Sequence, residues 1–286
     1  MKVNNVNVYV NNICNLECVY CYRGEKRKIT GKEDNYRIID DICLKMVREG
    51  IENITFTGGE PLLDKYFYKY LEVCNKYKIK VSILTNGTIP INENYLKLIN
   101  DITFSIDGDE KIMFTQRKVD AHKYRIILSN IKKCIEYNVK IKLNMVITKI
   151  NLNLFRENIF KFIIDNDLKG EIAYIKINIV ESDNPLLKLS EIEIEELSQQ
   201  ILILREMLFY KIPIISNFDL DTYALSLKID NGLFSVPVWF DLEKNIFFLE
   251  NQLNNLSLSH ICENYDSLCK QIISSKMDKY GMLRLN

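Results

Sequence analysis

The chain has 286 residues, 47% of them apolar, and 38 basic against 38 acidic side chains for a formal charge of +0, so it can bury a domain-sized core but offers no overall basic surface for nucleic acid. No apolar run approaches membrane-spanning length and the N-terminus lacks the apolar segment and cleavage site of a signal peptide; a cytoplasmic protein without membrane contact is expected. Its eight cysteines show no disulfide-framework spacing, which suits a reducing compartment.

Asn5 to Val10 alternates polar and β-branched residues and reads as a first strand. From its end springs Cys14-Asn15-Leu16-Glu17-Cys18-Val19-Tyr20-Cys21, three thiols on one short loop. The basic run Gly24 to Lys32 reads as a solvated connection. Asn35 to Glu49 carries a helical stripe of Ile38, Ile39, Ile42 and Met46, closed by Gly50. Ile54 to Thr57 is a short buried strand broken by Gly58-Gly59-Glu60-Pro61, and Lys65 to Tyr77 is helical. Lys80 to Leu84 is a third strand ending in Thr85-Asn86-Gly87, and Asn92 to Asn100 a third helix. The alternation continues with strands at Ile102 to Ile106, Val139 to Ile147 and Glu171 to Ile179, and helices at Lys123 to Tyr137 and Leu152 to Asp167.

Six strand-then-helix units predict a parallel sheet with right-handed crossovers, curling toward a barrel but too short for eight strands. In such folds chemistry gathers where strands end and loops begin. That rule brings Cys14, Cys18, Cys21, Gly58 to Glu60, Asn86 and Ser105 to Gly108 to one mouth.

Clustered thiolates suit zinc or an iron–sulfur centre. A closed zinc site wants four ligands, and no fourth cysteine or histidine lies near the loop; the histidines are His122 and His260. The three-residue then two-residue spacing, with an aromatic before the last cysteine, resembles the signature of the radical S-adenosylmethionine (SAM) enzymes. The resemblance implies an α/β fold, a partial (β/α)6 TIM barrel at residues 1–187, and a [4Fe–4S] cluster held by Cys14, Cys18 and Cys21. Its open iron is chelated by SAM. Gly58-Gly59-Glu60 resembles the family's GGE motif, by which Glu60 and the backbone at Thr57 to Gly59 meet the SAM ammonium. Tyr20 stands at the aromatic position near the adenine and Asn86 near the nucleoside. Phe104-Ser105-Ile106-Asp107-Gly108, with Arg117 beyond, resembles the S-x-D-G…R stretch of sulfatase-maturing and peptide-modifying members, where the serine and arginine meet the SAM carboxylate and ribose. A mouth lined by apolar strands is expected to exclude water and oxygen.

The last third, 188–286, reads as a small α+β extension. Ser190-x-x-Glu193 is a capping box before a helix reaching about Tyr210. Strands follow at Val236 to Phe240 and Ile246 to Glu250, then a helix at Ser257 to Ser274. The segment Trp239 to Phe248 resembles the hairpin that opens SPASM or twitch extensions. Asn245 and Glu250 stand where those have glycine and cysteine, so no auxiliary cluster is expected. Cys43, Cys74, Cys134, Cys262 and Cys269 read as core, with a hydrogen-atom donor or second metal ligand as the lesser reading of the last two.

The leading expectation is a radical SAM enzyme acting on a peptide or protein, fed electrons by a donor such as flavodoxin or ferredoxin. A leader peptide is expected to need another partner or the C-terminal part, since no separate peptide-binding module precedes residue 14. Alternatives are an activase of a glycyl-radical enzyme, a small-molecule enzyme, and a silent iron–sulfur or zinc scaffold, against which the intact GGE and Ser105 argue.

Overall fold

A computed structural model of the chain describes residues 3–21, 35–216, 238–241, 246–249, 252–256, 258–259 and 261–263. The expected alternation is present. Strands β1 (Asn5–Tyr9), β2 (Asn53–Thr57), β3 (Lys80–Thr85), β4 (Asp101–Ser105), β5 (Lys140–Ile147) and β6 (Ile172–Ile179) pair in order and in parallel. Helices α1 (Asn35–Arg48), α2 (Phe67–Lys76), α5 (Ala121–Glu136) and α6 (Phe155–Asp165) follow their strands. Each strand turns β-branched and aromatic residues such as Val6, Val8, Ile54 and Phe56 under the helices, where they are fully buried. The sheet does not close, so the α/β partial barrel is the architecture.

Several details depart from the sequence reading. The third helix, α3, spans only Glu93–Leu96, because Asn100 leaves the helical path to pair with β3, its amide on the Val81 carbonyl and its Oδ1 on the Val81 amide, each at 2.8 Å. An extra helix α4 (Glu110–Arg117) starts at Asp109, whose carboxylate accepts the Ile112 amide at 3.0 Å. After α7 (Glu191–Met207), which carries the capping box expected at Ser190 and Glu193, a short β7 (Ile214–Ser216) makes a seventh parallel strand beside β6.

The inner wall is mixed rather than apolar throughout: by the alternation Tyr9, Leu84 and Val146 share its face near the strand ends, and polar residues line it below them. The strand face opposite the helices carries half-buried Asn7, Thr55, Ser82, Asp101, Lys142 and Asn144. Ser82 donates to Asp101 at 2.8 Å, Lys142 pairs with Asp101 at 2.9 Å, and Asn178 donates to Asn144 at 2.8 Å. Period-two alternation puts every second side chain on that face, and away from the strand ends most of those are polar.

The anticipated hairpin is observed: β8 (Val238–Asp241) pairs antiparallel with β9 (Ile246–Leu249), Trp239 opposite Phe248, and β10 (Gln252–Leu256) follows. Strand β8 also lies parallel to β1, so the hairpin extends the same sheet. Asn245, Glu250, Cys269 and the run 24–32 lie outside the described residues, as does most of the expected last helix. Cys43, Cys74 and Cys134 are buried, the first two with sulfurs 3.8 Å apart between α1 and α2, as core cysteines should be. Among the described residues no helix is long and apolar enough to cross a membrane.

Candidate functional site

The cysteine loop lies along the Gly58-Gly59-Glu60 turn as a continuation of the β1–β2 pairing. Val10 donates to the Thr57 carbonyl at 2.8 Å, Gly59 to Asn11 at 2.8 Å and Glu60 to Ile13 at 2.7 Å. This ladder explains both glycines from within the protein. A Cβ on Gly59 would meet the Ile13 carbonyl oxygen at 2.0 Å, and one on Gly58, whose φ is +147°, the Asn11 oxygen at 2.6 Å. What approaches the glycines is the backbone that leads to Cys14.

Glu60 has no exposed surface. Its Oε1 accepts the Thr85 hydroxyl at 2.7 Å and the Leu62 amide at 3.1 Å, and its Oε2 accepts the Asn86 amide at 2.8 Å. Burial outweighs these three donors and pushes its pKa up to about 7. The turn after β3 is thereby hung on the GGE turn, and Asn86 passes the connection on. Its Nδ2 donates to Asn15 Oδ1 at 3.0 Å and lies 3.7 Å from the Cys14 sulfur, while Asn15 donates to Thr88 at 2.8 Å.

Because the folded pKa of Glu60 is raised, the protonated carboxyl is the form the fold favours. Its stabilisation is complete below about pH 4.5 and lost as pH climbs through 7, about 3 kcal/mol in all. The stability difference between wild type and Glu60→Gln, measured by urea unfolding from pH 4.5 to 8, is expected to fall over that window and then level. A difference that does not change with pH contradicts this.

On the other side of the loop, Tyr20 donates its hydroxyl to Asp107, and Arg117 grips the same carboxylate with Nε and Nη2, both at 2.8 Å. The amide of Val19 donates to the Gln116 carbonyl at 2.8 Å. Burial disfavours the charge on Arg117, but Asp107, Tyr20 and Cys18 more than offset it, so its pKa is raised. Ser105 ends β4 beside Asn144.

The structure thus gathers predicted residues into two groups, one on each side of the loop: Cys14, Asn86 and Glu60, and Tyr20, Asp107 and Arg117. Asn11, Asn15 and Thr88 belong to the first and Gln116 and Asn151 to the second, and all five were missed by sequence reasoning. Asn151 donates to the Asp107 and Val146 carbonyls at 3.2 and 3.1 Å. Its only signal was its polarity inside a buried turn.

Burial raises the pKa of Cys14, and that of Cys18 to about 11, the latter opposed by Arg117 and reinforced by Asp107, Cys14 and Cys21. The three thiols thus share one electrostatic neighbourhood. They are half-buried, and among the described residues no three Cys, His, Asp or Glu side chains are already drawn into a metal-holding group. A soft metal centre fits this donor set, would pull the thiols together and would displace their protons. A cavity of about 380 Å³ beside Cys14 is bordered by that residue, Asn15, Leu16, Glu17, Lys118 and Lys123.

The family model described as the Radical SAM superfamily matches residues 8–160. A probable GTP 3',8-cyclase of Methanocella arvoryzae is 30% identical over 155 residues, 52% of this chain and 49% of that protein. The 7-carboxy-7-deazaguanine synthase of Clostridium acetobutylicum is 29% identical over 184 residues, 58% of this chain and 81% of that one. The chain thus spans about half the length of the cyclase and most of the synthase. Among solved structures, Streptococcus suis SuiB bound to S-adenosylmethionine superposes with a TM-score of 0.68 at 15% identity, covering 95% of this chain and 68% of SuiB. Native anSMEcpe with bound AdoMet gives 0.65 at 16% identity, covering 84% of this chain and 72% of its own. At such identity the two structures share the fold.

Proposed function

The chain belongs to the radical SAM superfamily, and on that premise we propose that it cleaves S-adenosylmethionine reductively and removes a hydrogen atom from a peptide or protein substrate. The observation that carries this reading is the cysteine loop fastened rung by rung to the GGE turn. Membership implies SAM and a [4Fe–4S] cluster; Cys14, Cys18 and Cys21 are its three proposed ligands. When bound, the cluster supplies an electron to the sulfonium, whose S–C5′ bond breaks to give the 5′-deoxyadenosyl radical.

The chain's own residues divide the remaining work. The Thr57 to Gly59 backbone and Ser105 are the direct contacts proposed for SAM. Glu60, Asn86, Asp107 and Arg117 act on it through the loops they hold, and Tyr20 borders the adenine. Residues 188–286 are the proposed extension, and the β8–β9 hairpin within them widens the sheet beside β1. A small acidic reductant of the flavodoxin or ferredoxin kind is the proposed electron donor, and no nucleic acid is required.

The peptide reading draws on the Ser105-Ile106-Asp107-Gly108 stretch and on the fold shared with SuiB, a protein also solved with its precursor peptide SuiA. A second reading, a nucleotide-derived small molecule, is favoured by the cyclase and synthase relatives and by the basic residues Lys118 and Lys123 among those lining the cavity beside Cys14. Anaerobic reconstitution, reduction and assay of 5′-deoxyadenosine test the chemistry. Iron bound without SAM cleavage would favour a scaffold, and zinc would end the radical reading. A mass shift in a co-expressed candidate peptide supports the peptide reading, and turnover of GTP the other.

A further inference from the structure

Asp107 has no exposed surface, and groups from four parts of the chain meet on it. Tyr20 comes from the cysteine loop, Arg117 from the end of α4, the Val146 amide from β5 at 2.9 Å, and Asn151 from the turn beyond β5 onto its backbone carbonyl. The guanidinium carbon of Arg117 also lies 5.4 Å from the centre of the Tyr20 ring, and its charge acts on the Cys18 sulfur. Val19 is tied to Gln116 one residue away. Both residues between Cys18 and Cys21 are therefore fastened, Val19 to the end of α4 and Tyr20 to Asp107, whose carboxylate Arg117 at that helix end also grips.

We propose that Asp107 is a positioning residue for the metal centre: through Tyr20 it fixes the segment between Cys18 and Cys21, and through Arg117 it cancels a positive charge that would otherwise bear on Cys18 alone. The inference rests on the iron–sulfur reading above. Iron–sulfur potentials follow local net charge and hydrogen bonding, and a charge in a water-poor interior is felt strongly. With the pair intact the centre faces a neutral couple. Asp107→Asn leaves a cation beside it, which favours the reduced state; Arg117→Gln leaves an anion, which disfavours it.

These two substitutions break the same ion pair yet must move the reduction potential in opposite directions, upward for Asp107→Asn and downward for Arg117→Gln. A purely structural role would move both alike. Arg117→Lys, which keeps the charge and loses the two-pronged grip, is expected to stay nearer wild type than Arg117→Gln. Redox titration followed by electron paramagnetic resonance reads all three. Because an unpaired buried charge can stop a variant from folding, a second measurement uses Tyr20→Phe, which strands no charge. In the metal-free full chain, peptide-resolved alkylation of Cys18 and Cys21 is expected to speed up about tenfold, reflecting one lost hydrogen bond to a charged acceptor, while Cys43 and Cys74 are unchanged. Potentials that shift in the same direction, or unaltered alkylation, overturn the proposal. A wild-type chain that assembles no iron–sulfur centre sinks the underlying reading and the charge effect with it, whereas the alkylation rates still decide whether Asp107 holds the loop.

Discussion

Cys18→Ala protein, purified and reconstituted without oxygen, is expected to hold little iron and to release no 5′-deoxyadenosine, while melting within a few degrees of wild type. The thiol is half-buried in the middle of a loop, packed against the edge of the core and outside the strands and helices that form it. Deleting one sulfur there removes about 1 kcal/mol or less of burial. The chemical loss is of another order, since with two thiols left the proposed centre lacks a ligand on one iron. Iron per chain, nucleoside release and a circular dichroism melt separate the two effects. Undiminished nucleoside release from this variant would refute the ligand assignment.

Gly59→Ala is expected to be strongly destabilising, its added methyl meeting the shortest contact of the described glycines. The added carbon would sit 2.0, 2.5 and 2.9 Å from the oxygen, carbon and nitrogen of Ile13, all backbone atoms that cannot swing aside as a side chain can. Overpacking against yielding side chains typically costs about 1–3 kcal/mol. Here relief requires parting the Gly59–Asn11 and Glu60–Ile13 hydrogen bonds, so a loss at or above the top of that range is expected from denaturant unfolding. Cys14 is the residue after Ile13, so iron loading should fall even at temperatures where the variant remains folded. A variant with native iron content and an unfolding midpoint within experimental error of wild type would contradict the ladder.

The alternation of strands and helices was legible because each buried stripe has its own period: Ile38, Ile39, Ile42 and Met46 for α1, Val6 and Val8 for β1. Helix α4 escaped because Glu110 to Arg117 carries a weak stripe, although Asp109 followed by Glu110 is a start signal. Strand β7 is three residues long and offers no period. The polar part of the inner wall was present in the sequence as Asn5 and Asn7, Asn53 and Thr55, Lys142 and Asn144, and the two-residue period should have assigned it. Within the site, the motifs told which residues matter but not where they point. Nothing in GGE says that the carboxylate turns inward to Thr85 and Asn86, and nothing in S-x-D-G…R says that the arginine and the aspartate hold each other. Buried amides such as Asn130, which donates to the Gly87 and Ile89 carbonyls at 2.9 and 2.8 Å, look like surface residues until their partners are known.

Strand β1 is flanked by β2 on one side and by β8 on the other. Its second neighbour is encoded more than two hundred residues downstream, so on the ribosome the strand that launches the thiol loop has a bare flank until Val238 to Asp241 have emerged. A nascent chain in that condition presents unsatisfied amides and carbonyls to any passing strand.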